Sequence, residues 1–166
     1  MAALEVRASA AADVGELVRF LDQATAEVFS TMMGAACTPS PEPGPGMPEH
    51  EAISAVIGLA GVLSGSLVLS TEGHTAMRMA ERMTGIAPLD VDEMVRDAIG
   101  EVCNMVAGAW KGFDPTLASR CLLSTPTVVA GTDYEVFSQK APIRIEREYA
   151  FEERSFTIAI ACEPQG

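Results

Sequence analysis

Positive charge is scarce in this chain: 11 Lys and Arg stand against 23 Asp and Glu, for a formal net charge of −12. That balance argues against nucleic acid or insertion at an anionic membrane surface, and it favours a partner that is basic, at least locally. Paired cysteines are also lacking. Cys37, Cys103, Cys121 and Cys162 form no C-x-x-C pair, and none stands near a His at ligand spacing. Zinc and thiol-redox chemistry therefore have no spacing signal, and the four read as buried, reduced thiols of a cytoplasmic protein. No apolar run reaches the roughly 18 residues of a membrane span. Met1-Ala2-Ala3-Leu4-Glu5 has no basic stretch before an apolar core, so it does not read as a secretory signal. Neither a phosphate loop nor an aromatic cage is visible, which leaves a small-molecule binding domain with little support. The two histidines, His50 and His74, have no partner motif and read as solvated.

What is present is an ordinary globular composition, 48% hydrophobic and 20% charged over 166 residues. Such a length suits one domain that needs no metal or disulfide to be stable. Residues 1–12 are small and aperiodic and read as a loose N-terminal tail; residues 13–166 read as a single domain. From Asp13, the residues Leu17, Phe20, Leu21, Ala24, Val28 and Met32 recur at helical steps, with Gly34 placed to close the helix. Residues 38–49 hold five prolines, which excludes regular helix or central strand and predicts a Pro-rich loop inside the domain.

Ile53, Ala55, Ile57 and Leu59 alternate with smaller residues, and Ser66 to Leu69 follows after Gly61 to Gly65, the pattern of a β-hairpin. Ser70-Thr71-Glu72 reads as the start of a helix that Gly85 ends. Pro88-Leu89-Asp90 opens a longer helix to about Lys111. Gly112 and Pro115 mark a loop, and strands are predicted over Leu122–Val129, Tyr134–Ser138, Pro142–Tyr149 and Ser155–Cys162. The order implies an α+β fold, a mostly antiparallel sheet of about six strands covered by three helices. Ser155–Cys162 carries no charge, which suits either a central strand or an edge that pairs with a second copy.

The long helix carries the chemical signal. With Asp97 at zero and about 100° per residue, Glu101 falls near 40°, Asn104 near −20°, Gly108 near 20° and Gly100 near −60°. Val91, Val95, Ala98, Val102, Val106 and Ala109 gather between about 100° and 180°, the arc that faces the sheet. A solvated stripe needs neither Asn, which competes for the backbone, nor Gly, which costs about 1 kcal/mol against Ala in a helix interior. Glycines beside an acid and an amide leave those side chains proud and let another surface approach.

Asp97-x-x-x-Glu101-x-x-Asn104, followed by Met105-Val106-Ala107-Gly108, resembles the D/S-x3-E-x2-N signature of the CheC/CheX chemotaxis phosphatases. The resemblance spans roughly residues 14–130: the hairpin Ile53–Gly61 and Gly65–Ser70, the helix Ala76 to Gly85, and Ser124-Thr125-Pro126-Thr127 after the motif helix. It implies a pseudo-symmetric fold. Glu27-Val28-Phe29-Ser30-Thr31-Met32-Met33-Gly34 parallels Glu101 to Gly108, with Ser30 where the amide stands and Gln23 in place of the acid. The family's CheC type carries the amide in both copies, so this chain resembles the single-site CheX type, and Glu27 reads as structural or solvated.

The resemblance further implies removal of a phosphoryl group from the aspartate of a response regulator such as CheY. By motif position, Glu101 and Asn104 are the catalytic pair: Asn104 holds a water in line with phosphorus, and Glu101 meets the regulator's active-site lysine. Asp97, Gly100 and Gly108 would contact the partner. No cofactor of its own is implied, because Mg²⁺ comes with the regulator, and a homodimer is expected. The alternative is a non-catalytic regulator-binding or flagellar-switch-like module.

Overall fold

The structure, a computed structural model, describes residues 14–40, 51–136 and 140–165. The expected tail and His50 lie outside these residues, as does most of the Pro-rich loop. Alternation builds the sheet. Ile53, Ala55, Ile57 and Leu59 are all buried on one face of β2 (Ala52–Gly61), which pairs antiparallel with β3 (Leu63–Glu72) from Ala52↔Glu72 to Leu59↔Gly65. Gly61 has φ +105, and a side chain there would collide with the Arg120 carbonyl, so the turn requires glycine.

Helix α1 (Val14–Met33) buries Leu17, Leu21, Ala24, Val28 and Phe29. Its last turn departs from the expected stripe, because Met33 is buried and Met32 is exposed. Gly34 follows at φ +60 and its N–H bonds the Ser30 carbonyl, closing the helix. β1 (Thr38–Pro39) occupies the start of the expected Pro-rich loop as a two-residue edge strand, where a missing N–H is tolerated. Ser70 and Thr71 belong to β3, not to a helix start. The Ser70 hydroxyl is bonded to Ser54 and the Thr71 hydroxyl to the Ser155 carbonyl, so neither is free to cap. Helix α2 (Gly73–Thr84) begins after Glu72 and ends at Gly85.

Helix α3 (Glu93–Gly112) starts later than Pro88-Leu89-Asp90 suggests. Asp90 bonds the Val91 N–H and forms a turn, and Asp92 caps the helix by accepting from Val95 N at 3.0 Å. The expected loop after it holds a fourth helix, α4 (Pro115–Arg120), capped by Asp114 with Pro115 in its first turn. The single strand expected over Leu122–Val129 is two, β4 (Cys121–Leu123) and β5 (Thr127–Gly131), both paired with β2. Between them, Pro126 has no N–H to give, and the Ser124 hydroxyl takes the Gly58 N–H at 2.8 Å. Tyr134 to Val136 form no strand; Tyr134 reaches back to the Ser54 hydroxyl. Residues 137–139 lie outside the described set.

β6 (Ile143–Phe151) and β7 (Arg154–Pro164) close the chain as a tight hairpin. Glu152 and Glu153 both take positive φ, 47° and 62°, in its turn. Arg78 holds the Glu152 carboxylate at 2.6 Å and ties that turn to α2. The sheet has seven strands in the order β1-β6-β7-β3-β2-β4, with β5 also on β2. β7 is therefore central, which removes the reading of Ser155–Cys162 as an exposed edge. The order is symmetric about the β3–β7 pair. β1, which follows α1, lies against the second half's β6; β5, which follows α3, lies against the first half's β2.

The helices pack on one sheet face. Phe29 of α1 stacks on Phe156 of β7 at 4.8 Å between ring centroids, and the buried Trp110 of α3 donates to the Leu17 carbonyl at 3.1 Å. Among the described residues no helix is long and apolar enough to cross a membrane.

Candidate functional site

α3 is gripped on more than one side. Val95, Val102 and Val106 are buried against the sheet; Ile99, Cys103, Ala107 and Trp110 are buried as well, because α1 and α2 also pack on this helix. Ala109, expected in the packed arc, is half-buried. On the helical wheel the buried positions run from roughly 100° round to 300°, so one arc of about 160° is left free. Asp97, Glu101, Asn104 and Gly108 occupy it. Asp97 and Glu101 are exposed, and Asn104 and Gly108 are half-buried. Glu101 and Asn104 are three residues apart, about 4.5 Å along the axis, so one rigid element presents both.

Nothing among the described residues occupies these side chains. Among the described residues, Asp97, Glu101 and Asn104 make no side-chain hydrogen bond or ion pair, whereas Arg147, Arg78 and Asp22 elsewhere are all engaged. A carboxamide both donates and accepts, and a carboxylate attracts a cation. Together they form a polar pair that waits for groups from outside.

The two glycines differ. A Cβ at Gly108 would meet nothing within 4 Å, so this position leaves the arc open. Gly100 does not lie on the free face, contrary to expectation. It is buried, and a Cβ there would come within 3.3 Å of Val128 Cγ2 and 3.6 Å of Pro126 Cγ. The surface it admits is the chain's own β5. The wheel angle alone hid this, because the wall comes from a later part of the sequence.

That close approach leaves a groove of about 600 Å³ lined by Glu93, Arg96, Asp97, Gly100, Glu101, Pro126 and Val128. Sequence reasoning identified Asp97, Gly100 and Glu101 but missed Glu93, Arg96, Pro126 and Val128. Arg96 is the one cation in this lining, and its guanidinium bonds the Val91 carbonyl at 3.2 Å rather than a neighbouring acid. A smaller hollow of about 320 Å³, at Ser64–Ser66, Lys140 and Glu163, lies away from α3 and holds no comparable pair.

The cysteines are spread through the core. Burial pushes the Cys37 and Cys103 thiols up to about 12 and that of Cys162 up to about 11. Thiols held protonated in this way are poor nucleophiles. Among the described residues, no three His, Cys, Asp or Glu side chains stand close enough to hold a metal ion.

The counterpart of the motif lies on α1. Gln23, Glu27 and Ser30 are all exposed there. Beside them Asp22 accepts from Arg147 at 2.6 and 3.1 Å and from the Tyr149 hydroxyl at 2.7 Å. This clamp fastens α1 to β6.

Comparison with known proteins agrees with the geometry. The family described as chemotaxis phosphatase CheX matches residues 53–147. A curated protein of Thermotoga maritima, "CheY-P phosphatase CheX", is 32% identical over 116 residues, which is 67% of this chain and 72% of that protein. The crystal structure of chemotaxis protein CheX from Vibrio vulnificus superposes with a TM-score of 0.77 at 24% identity, covering 89% of this chain and 97% of that one. A chain of the CheX-CheY-BeF3-Mg²⁺ complex from Borrelia burgdorferi superposes with a TM-score of 0.68 at 19% identity, covering 88% and 97%. The two superpositions establish the fold, and the match over more than half the sequence establishes the lineage: this chain belongs to the CheX family of chemotaxis phosphatases.

Proposed function

We propose that the protein dephosphorylates the phospho-aspartate of a CheY-type response regulator, with Glu101 and Asn104 as the inserted pair. The observation that carries this reading is the placement of both side chains, without partners among the described residues, on the only free arc of α3. The relative from Thermotoga maritima is named for the same activity. Asn104 donates to and accepts from one water and holds it in line with phosphorus. Water oxygen bonds to phosphorus, the P–O bond to the aspartate breaks, the carboxylate leaves, and inorganic phosphate is released. Positioning is the main contribution, and no general base is needed on this chain. Glu101 pairs with a lysine of the regulator, which aligns the two proteins. Mg²⁺ enters with the regulator and neutralises phosphoryl charge; the Borrelia burgdorferi complex contains CheY, BeF3 and Mg²⁺ together. Asp97 and Gly108 lie in the contact surface.

The test is the lifetime of a phosphorylated CheY-type receiver in Mg²⁺ with and without the protein. Shortening by wild type, and loss of that effect in Asn104→Ala, support the reading. Tight binding with an unchanged lifetime would instead make the chain a regulator-binding module. A companion proposal is a homodimer through a sheet edge, which β7 cannot provide and the outer strands can. Light scattering at micromolar concentration should then give twice the 17.5 kDa chain mass.

A further inference from the structure

The free arc of α3 carries Asp97, Glu101 and Asn104, and its two methionines, Met94 and Met105, are half-buried. The buried centres of protein interfaces are apolar and poor in charged residues, so fully exposed apolar side chains beside the arc would complete it. Among the described residues the exposed large apolar side chains are Met32, Ile86, Leu89, Leu122, Val129 and Val136. Met32 is on α1. Leu122 is paired with Ala60 and Val129 with Ser54, and both point to the sheet face opposite the helices. Val136 follows Tyr134, whose hydroxyl bonds Ser54 on that same far face. Ile86 and Leu89 remain, in the connection that leads directly into α3.

That connection is tied down from both ends. Ile86 N–H bonds the Thr84 hydroxyl at 3.1 Å, Asp90 accepts from Val91 N at 2.7 Å, and Asp92 N bonds the Asp90 carbonyl at 2.9 Å. Arg96 of the groove grips the Val91 carbonyl, and Val91 is buried. A loop held this way could have turned its largest side chains inward. Instead Ile86 is 62% exposed and Leu89 is 99% exposed. Single exposed apolar residues are ordinary; two within four residues, on a fastened loop that runs into α3, are not.

We propose that Ile86 and Leu89 are the apolar anchor of the regulator-docking surface, covered by an apolar patch of the receiver domain near its phospho-aspartate. The inference rests on the phosphatase reading and extends its contact surface beyond α3. Continuity with the site selects the occupant. Leu89 is three residues before the α3 cap, at most about 11 Å of chain, and Asp92 to Glu101 spans about 14 Å of helix. A receiver domain some 30 Å across that rests on Glu101 and extends toward the start of α3 spans the distance of at most about 25 Å to Leu89.

The test uses the full chain and a CheY-type receiver, loaded with beryllofluoride and Mg²⁺ for binding and phosphorylated for turnover. Leu89→Ser should raise both Kd and KM at least about tenfold, the equivalent of one buried leucine, with kcat at saturation unchanged. Ile86→Ser should act in the same sense but less, and Leu89→Met should restore most of the affinity. Affinity within about twofold of wild type in both serine variants would overturn the proposal. So would a change in self-association with receiver affinity untouched, which would make a second copy of this chain the occupant. A wild-type protein that binds the receiver without shortening its phosphoryl lifetime would sink the phosphatase reading alone, and the Leu89 measurement would still report on the surface.

Discussion

The two halves of this molecule share a plan and differ in what they leave open. In each, a long helix precedes strands, and Glu27 and Glu101 hold matching positions in the repeated sequence, though Glu27 lies nearer the end of its helix. Five residues earlier stand Asp22 in one copy and Arg96 in the other. Asp22 is consumed by Arg147 and Tyr149, which draw α1 down onto β6. Arg96 meets no carboxylate among the described residues, and a groove stays open between α3 and β5. Three residues after the glutamates come Ser30 and Asn104. The contrast shows one scaffold devoting the first copy to holding itself together and leaving the second open. The amide and the opening occur in the same copy, and the ion-pair clamp occurs in the other.

The sharpest way to break the contrast is at the amide. Asn104→Ala should reduce accelerated dephosphorylation by at least about a hundredfold, the order lost when a reacting group is misplaced by about 1 Å. Ser30→Ala should leave the rate unchanged, and parallel phosphate-release assays compare the two. The fold of Asn104→Ala should persist, because Ala is the better helix former by up to roughly 0.7 kcal/mol. Next come the glutamates. Glu101→Ala should weaken receiver binding and slow turnover together, while Glu27→Ala should do neither; equal losses would mean that both halves are active. Third is the clamp. Asp22→Ala leaves a partly buried guanidinium and a phenol without their acceptor and should cost about 1–3 kcal/mol of stability in denaturant titration. Its turnover should match wild type, and Arg96→Ala should cost far less stability.

The smallest expected effect concerns alkaline pH. Cys37 and Cys103, one in each half, have thiols raised from 9.0 to about 12 by burial. Above pH 9 the unfolded chain releases thiol protons that the folded chain keeps. Stability is therefore full below about pH 9 and declines as pH rises toward 12. Denaturation midpoints across that range should show it, and replacing either cysteine by Ala should flatten the decline by a similar amount.

Much of this was legible from local pattern. The hairpin alternation at Ile53–Leu59, the closing Gly85 and the polar face of Asp97, Glu101 and Asn104 follow from periodicity alone. What escaped depends on distant pairing. α4 is only six residues long, and its Asp114–Pro115 start was the available sign. Gly100 looked open because its neighbours Pro126 and Val128 arrive through the pairing of β5 with β2. The uncharged run Ser155–Cys162 suited a centre and an edge equally until the sheet order placed it beside β3. Asp22 has no local partner, and its acceptor role appears only when Arg147 and Tyr149 fold back to it.

The exchange of β1 and β5 between the halves makes neither half a self-sufficient folding unit. The β1–β6 pairing joins Thr38 to Ala150, and the β5–β2 pairing joins Thr127 to Val56. Each half completes its outer edge only with a strand borrowed from the other. Closing so long a loop delays the reward for its entropy cost, so the chain should fold late and as a whole. A fragment ending before α3 would lack the strands that cover β2, and one beginning there would lack the strand that covers β6. The same interlock gives α1 a place in the weave that needs no amide: Ser30 stands where α3 has Asn104, and β1 after it still completes the β6 edge.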